Sequence, residues 1–508
     1  MVTRLRRRAS ALAVVVAAFA LAACSTTTGG GSGSGGAGDG ELTVAGTYPI
    51  ESLDPHALSG GSTGTQLADK AIFSRLLATD PDGKVVGDLA TGWGPGADAS
   101  EWRFTLRPGV TFSDGSPLTA QDVVDSFTRM MTVNGPNAAN FTGATMTASS
   151  DTEVVLKAPK PDASIPGKLT LFYVIPSGVA PGDTAFFDKP AGSGPFTVTR
   201  FVPGEVLELA RNEKFSGKPA AMDKVVIRTI PELAARLTAL RTGEADVVWG
   251  IPDDQLPGLR GDTSLTIETV PSTALFTMWF NSSVPALSDA AVRRAIWQAV
   301  DFRTIIEQLY PETGEPADSP VAPAVLGHVA QPPVAYDPAA ARAALQAAGF
   351  DFGRKLRLQF ANAEFRPFVQ AVVSDLAEIG VQVEPLEKEQ AVFTQDLVAL
   401  NWDINFQQLT TPTFDAGSNL GRLYPCAARR TGYCNPELDS LLAAAGAATD
   451  QAQRVAAYGR ASEIIWRDAV GMYPMTAGIA YAWNRGLAGF RPDPSGLPDF
   501  ATVTAAGA

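Results

Sequence analysis

Apolar and polar positions alternate most plainly over residues 101–107. Trp102, Phe104 and Leu106 alternate with Arg103, Thr105 and Arg107, the period of a strand with one buried face. Pro108-Gly109 and Ser113-Asp114-Gly115 are turn chemistry on either side of Val110-Thr111-Phe112, which reads as a second short strand. Thr119 stands three residues before Asp122, the spacing of a capping box. Val123, Val124, Phe127, Met130 and Met131 then recur at helical spacing. Hairpin, turn and capped helix are thus legible from local chemistry over 101–131.

The same reading extends along the chain. It predicts strands at 41–47, 152–157, 246–248, 273–280, 356–360 and 381–383. It predicts helices at 66–78, 231–243 (stopped by Gly243), after Asp289, through Ile305 to Leu309, after Asp337-Pro338, and from Val369 to Gly380. Final strands are expected around Tyr473–Met475 and Ile479–Tyr481. Strand and helix alternate in the later part, which predicts α/β lobes with mainly parallel pairing. A chain of 508 residues exceeds one compact core, so two or three lobes are expected.

The first forty residues carry none of these periods. Arg4, Arg6, Arg7 and Arg8 precede an apolar run from Ala9 to Ala22, too short to span a bilayer as a helix. The run ends in Leu21-Ala22-Ala23-Cys24, which looks like a lipobox, with cleavage before a lipidated Cys24. The alternative is an ordinary secretory signal with small residues at its cleavage site. Residues 25–40 are half glycine and cannot bury enough surface to fold. As a flexible coil they would reach about 20–24 Å. Loss of the four leader arginines takes the formal charge from −13 to −17. That balance argues against nucleic acid or an anionic lipid surface as a partner.

Candidate chemistry is sparse. His56 and His328 are the two histidines, which weakens readings built on histidine catalysis or a histidine-rich metal site. Gly60, Ser62 and Gly64 form a formal G-x-S-x-G. A hydrolase would place such a serine on a strained strand-to-helix turn, but Pro55 precedes it and no apolar strand does, so flexible-loop glycine is the plainer reading. Cys426 and Cys434 remain once Cys24 is lipidated. In an exported chain their short separation reads as a disulfide, worth about 2.5 kcal/mol on a chain-entropy estimate. A metal site would want C-x-x-C spacing and a nearby histidine.

The order of parts from about residue 41 to 495 resembles family 5 solute-binding proteins, the dipeptide and oligopeptide receptors of ABC importers. The resemblance rests on the 101–131 segment and on Leu53-Asp54-Pro55. It rests also on Asp88–Trp93 (Asp88 standing where proline is usual), Gly192-Ser193-Gly194-Pro195-Phe196 and Arg211-Asn212 with Phe215. Further matches are Gly243-Glu244 with Asp246, the block Asn281, Pro285, Asp289, Val292, Arg293, Ala295 and Asp301, and Asn435-Pro436 with Asp439.

It implies an α/β, type II-like periplasmic binding fold, with two lobes around a hinged cleft and an extra subdomain in the first lobe. The implied division is a lipoprotein signal peptide at 1–23 and a lipid-anchored linker at 24–40. Lobe I would comprise 41–75, 190–270 and the return at 476–508, the subdomain 76–189, and lobe II 271–475. The implied function is peptide capture and delivery to permease subunits driven by cytoplasmic ATPases, from a monomer anchored on the outer face of the cytoplasmic membrane. No catalysis, cofactor, metal or nucleic acid is implied.

The resemblance points to ligand contacts at Ser59, Gly60 and Gly61, at Phe276 and Trp279, at Arg366, and in the loop after Trp402–Phe406. Receptors of this kind pair the peptide's amine with an acidic residue in that loop. Counting from Asp403, the position falls on Pro412, and Asp415 is the candidate substitute. Open alternatives are a non-peptide ligand such as a glycan, metal chelate, opine or haem, a secreted hydrolase using Ser62, and a signalling receptor that transports nothing.

Overall fold

Two long strands, Leu265–Phe280 and Met475–Asn484, set the architecture of this chain in its computed structural model, which describes residues 40–506. The leader, the linker and Cys24 lie outside the described residues, apart from Gly40 at the linker's end. The first half of Leu265–Phe280 pairs antiparallel with Gly478–Asn484. Its second half, Leu275–Phe280, pairs antiparallel with Ile404–Leu409. A register shift between Pro271 and Ala274 separates the halves. The local bend of such a bulge twists the strand as it passes from one lobe to the next.

Around these strands runs a twelve-stranded mixed sheet. On one side lie Ile404–Leu409, Lys355–Phe360 and Gln382–Glu387; on the other lie Val247–Trp249, Glu41–Gly46, Lys224–Thr229, Val206–Arg211 and Phe196–Val202. Parallel pairing is confined to the neighbours of Glu41–Gly46 and of Lys355–Phe360. The expectation of mainly parallel pairing holds for the later strands it was read from, Lys355–Phe360 and Gln382–Glu387, and needs correction for the sheet as a whole. Phe196–Val202 and Val206–Arg211 form a tight hairpin, and the long strands run antiparallel to their neighbours. The expected helix at 66–78 is instead Thr63–Ile72, followed by the strand Leu77–Thr79. The expected strand at 110–112 reduces to a single bridge between Thr111 and Pro117.

Apolar side chains gather in separate cores. Leu42, Val44, Leu67, Phe196, Leu207, Tyr481 and Trp483 fill one face of the first lobe's sheet, and Leu237, Leu240, Val248, Leu256 and Ala482 fill the other. Phe276, Trp279, Ile296, Leu358, Phe368, Phe406 and Ile465 belong to the second lobe. Trp102, Phe104, Leu106, Phe127 and Met130 belong to a third core under the four-stranded sheet of Ala90–Pro95, Glu101–Leu106, Glu153–Lys157 and Thr145–Ser150. There the capping box forms as its spacing requires. Thr119 donates from its backbone N and its Oγ1 to Asp122 at 2.7 and 2.8 Å, opening the helix Ala120–Val133. The disulfide Cys426–Cys434 is present, with Cα atoms 4.5 Å apart.

A buried polar knot ties the first lobe to this third core. Arg129 donates to both carboxylate oxygens of Asp54 at 2.7 and 2.8 Å. It also donates to Nδ1 of His56 at 3.1 Å, so the proton sits on Nε2, which donates to the Tyr173 carbonyl at 3.0 Å. Burial, against the hydrogen bond to that carbonyl and with Arg129 adding to the depression, brings His56 down to about 4. Nearby Asp69 is fully buried with neither oxygen hydrogen-bonded in the protein, and burial raises it well above the usual carboxylate range.

The two groups act oppositely on stability. The unfolded chain protonates His56 near pH 6.5 and the folded chain does not until about 4, so stability is full above 6.5 and falls by about 3 kcal/mol as pH drops through that window. Asp69 binds its proton more tightly in the folded state, so its contribution is present at low pH and is lost as pH rises above 3.8. Asp69→Asn is expected to raise stability at pH 7 and to steepen the acid-side loss, read from urea unfolding at pH 4.5, 5.5 and 7. An unchanged pH profile would refute this account.

Candidate functional site

After the strand Ile404–Leu409 the chain turns through residues 410–419, and this turn is held from several sides. Thr411 N donates to Thr273 Oγ1 of the crossing strand at 3.2 Å. Asn419 Nδ2 donates to Thr410 O at 3.1 Å and Thr411 Oγ1 at 2.9 Å. Thr413 and Ser418 join through their hydroxyls. Phe414 adopts a left-handed φ of 53°. Its ring lies so close to Gly83 that a Cβ there would stand 2.4 Å from the ring edge, so only glycine fits at position 83 with the loop docked.

Asp415 sits at the centre of the turn. Its Oδ1 accepts from Gly417 N at 2.8 Å and from Tyr458 OH at 3.4 Å, and its Oδ2 accepts from Arg454 Nη2 at 2.6 Å. Side-chain exposure is 7% for Asp415 and 8% for Arg454. Burial pushes the Asp415 carboxyl upward and the guanidinium opposes it. Arg454 Nη1 donates onward to Ala163 O at 3.0 Å, and Ala163 N donates to Gly446 O at 2.6 Å. One short turn therefore touches the crossing strand, the second lobe's helices Pro436–Ala447 and Gln451–Arg467, and the segments carrying Gly83 and Ala163.

Beside the turn lies a small cavity bounded by Leu275, Leu409, Thr411, Asn419 and Tyr424, with Pro320–Ala322, Ala416 and Leu420 completing it. None of these side chains is charged. Tyr424 OH accepts from Trp279 Nε1 at 2.9 Å and bonds Tyr473 OH at 2.9 Å. Burial lifts its phenol to about 12, so it is neutral at physiological pH. The sheet face that carries Leu275 and Leu409 continues as Thr277 opposite Gln407 and Trp279 opposite Asn405. Gln359 Nε2 donates to Asn405 Oδ1 at 2.7 Å, and Lys388 Nζ donates to Gln359 Oε1 at 2.9 Å. Thr277 Oγ1, Gln407 Nε2 and Asn405 Nδ2 are buried with no protein partner, which marks this face as a place that solvates or binds something polar.

The residues expected to contact ligand are not brought together. Ser59, Gly60 and Gly61 form the 3₁₀ turn Leu58–Gly61, in which a Cβ on Gly60 would meet Pro55 O at 2.3 Å and one on Gly61 would meet the Pro136 ring at 2.9 Å. Leu58, 80% exposed, and Tyr48, 57% exposed, are the large apolar side chains this part of the first lobe leaves open. Phe276 is 2% exposed and packs edge-on against Tyr310, Phe365, Phe368 and Phe406. Trp279 is 1% exposed. Both are core residues here, because both faces of their strand are covered. Arg366 stands at the surface, pairing with Glu387 at 2.8 Å. Asp415, expected as an amine partner, is already neutralised by Arg454.

Ser62 caps the helix Thr63–Ile72, accepting from Thr65 N at 3.3 Å. The ring nitrogens of His56 are committed to Tyr173 and Arg129, and His328 bonds Asp318 at 2.8 Å. No nucleophile–base pair is built from these groups. Arg454, Tyr458, Asn419 and Tyr424 were not anticipated. Arg454 and Tyr458 share a helix face by their spacing of four, but nothing local links them to a carboxylate thirty-nine residues earlier. Among the described residues no cluster of three His, Cys, Asp or Glu could hold a metal, and no helix is long and apolar enough to cross a membrane.

Comparison with known proteins matches residues 84–430 to the family described as bacterial extracellular solute-binding proteins, family 5 Middle. A probable D,D-dipeptide-binding periplasmic protein, DdpA, of Escherichia coli strain K12 is 27% identical over 443 residues, covering 82% of this chain and 85% of that protein. The nickel-binding periplasmic protein of the same organism is 25% identical over 386 residues, covering 69% and 72%. The crystal structure of the ABC transporter substrate-binding protein CtaP (Lmo0135) from Listeria monocytogenes superposes with a TM-score of 0.83 at 23% identity, covering 92% of this chain and 99% of that one.

Proposed function

This chain belongs to the family 5 bacterial extracellular solute-binding proteins, and from that premise we propose that it is a lipid-anchored receptor capturing peptides between its lobes for an ABC importer. Membership makes it a binding protein that acts outside the cytoplasm and supplies a transporter, not an enzyme. The further steps are our reading. Lobe I comprises 41–75, 190–270 and 476–508, lobe II comprises 271–475, and the subdomain comprises 76–189. Hinge closure turns on the two crossing strands. The observation that carries the reading is the single turn 410–419, which borders the neutral cavity, packs Phe414 against Gly83 and is joined through Arg454 to Ala163. A ligand seated there would stabilise the closed arrangement and present one docking surface to the permease.

Peptide is the ligand class most of the resemblance supports, and the relative named for D,D-dipeptides agrees with it. A second reading, the same receptor with a non-peptide solute, gains support from the charge at Asp415 being taken up by Arg454. Thermal-shift screening against di- to pentapeptides, oligosaccharides and metal chelates separates the two. A ligand at one hundred times its Kd adds about 2.7 kcal/mol of stability. Stabilisation by peptides supports the first reading; stabilisation by sugars or chelates with all peptides inert replaces it with the second.

The anchor is tested separately. Cys24→Ser is expected to move the protein from the membrane fraction to the surrounding fluid without altering ligand affinity, since acyl chains and not the folded lobes hold it at the surface. Retention of the variant in washed membranes would remove the lipid anchor from the proposal.

A further inference from the structure

The cavity beside residues 410–419 specifies the electrical character of whatever enters it. Its wall is uncharged, and it leaves about 10 Å³ of free volume, room for one water-sized or methyl-sized group. An ammonium group placed there would lose its hydration without gaining a counter-ion. The nearest carboxylate on the turn, Asp415, has Oδ2 on Arg454 at 2.6 Å and Oδ1 on Gly417 N at 2.8 Å. Drawing it away would strand a guanidinium that is itself buried. Polar capacity of a neutral kind is present instead. Asn419 Nδ2 is committed to Thr410 O and Thr411 Oγ1, and among the described residues its Oδ1 has no partner, so it is an acceptor for an amide N–H. Thr277 Oγ1, fully buried, and Gln407 Nε2 lack protein partners and stand on the same sheet face as Leu275 and Leu409, one register step along.

We propose that the ligand presents an uncharged, acyl-capped nitrogen to this turn. A methyl-sized cap sits against Leu275, Leu409 and Tyr424, and the amide N–H is received by Asn419. The inference rests on the reading of this chain as a receptor that closes over the 410–419 turn. It deepens that reading by naming the chemistry recognised at this turn: a blocked, uncharged nitrogen, as on an N-acylated peptide, in place of a free amine.

The test uses matched ligand pairs on the mature protein by isothermal titration calorimetry at pH 7. One set comprises tri- and tetrapeptides with a free or an acetylated N-terminus. The other comprises amino-sugar oligosaccharides with free or acetylated amines. Acetylated forms are expected to bind about tenfold more tightly than their free-amine counterparts. Asn419→Leu should abolish that preference, and Pro412→Asp, at the exposed corner of the turn, should shift it toward the free amine. Equal or tighter binding of free-amine peptides would overturn the capped-nitrogen inference and leave the peptide reading intact. Tighter binding of acetylated sugars with all peptides inert would support the inference and remove the peptide reading. Absence of binding in both sets would overturn both.

Discussion

Replacing Arg454 with methionine is expected to destabilise the chain by about 3–5 kcal/mol, the penalty for leaving a buried carboxylate without its counter-charge. The geometry gives Asp415 little escape. Its exposure is 7%, and two of its three hydrogen-bond donors are Arg454 and Tyr458 on one helix face. Arg454 also reaches Ala163 O, so the variant loses a contact between the helix Gln451–Arg467 and the segment carrying Ala163 as well. Urea denaturation monitored by tryptophan fluorescence checks the figure. The double variant Arg454→Met with Asp415→Asn should recover most of the loss, because it removes the unpaired charge as well as the pair. A single-variant loss below about 1 kcal/mol would show that Asp415 finds water or a proton more readily than its burial implies.

Phe276→Ala is expected to destabilise by about 3–5 kcal/mol, the range for deleting a large buried aromatic side chain. Its ring is met edge-on by Tyr310, Phe365, Phe368 and Phe406 with centroids 5.2–5.6 Å away, and rigid strands around it limit collapse into the cavity. Where the variant remains folded, its ligand affinity should change less than threefold. Near-native stability with a tenfold loss of affinity would return Phe276 to the ligand's surroundings, where its place near the lobe crossing had suggested it.

These two residues illustrate what was legible in the sequence. Most stretches whose structure is decided within a dozen residues were read correctly, the helix expected at 66–78 and the strand expected at 110–112 excepted. Trp102, Phe104 and Leu106 face a core, and Thr119 and Asp122 form their box, because each needs only its own turn or its neighbouring strand. Phe276 and Trp279 misled because an alternating pattern marks a buried face only when the other face is wet. Here Leu275, Phe276, Met278, Trp279 and Phe280 are all buried, so periodicity gave no direction to their side chains. The first half of the long strand, Leu265–Pro271, lay outside the strand expected at 273–280. In the structure Pro271 stands at the bulge where the register shifts, a position that tolerates proline. Asp415 was noticed and its partner was not, since local pattern cannot supply a contact that only the tertiary fold makes.

The crossing strands also bear on how the chain acquires its structure. Glu41–Gly46 neighbours Val247–Trp249, and that strand's other edge is completed by Met475–Asn484. The first lobe to emerge during export is therefore the last to be finished, its strand Val247–Trp249 held open until residues more than two hundred positions later arrive. Loop closure of that span is slow relative to local pairing. Lobe II, by contrast, is assembled from a nearly uninterrupted run of chain. A translocating molecule would reach the far side with the edge of Val247–Trp249 unpaired until Met475–Asn484 follows lobe II out, a sticky strand edge in need of shielding. Chaperone dependence should accordingly track truncations that remove residues 475–484 far more than equal truncations of the exposed surface.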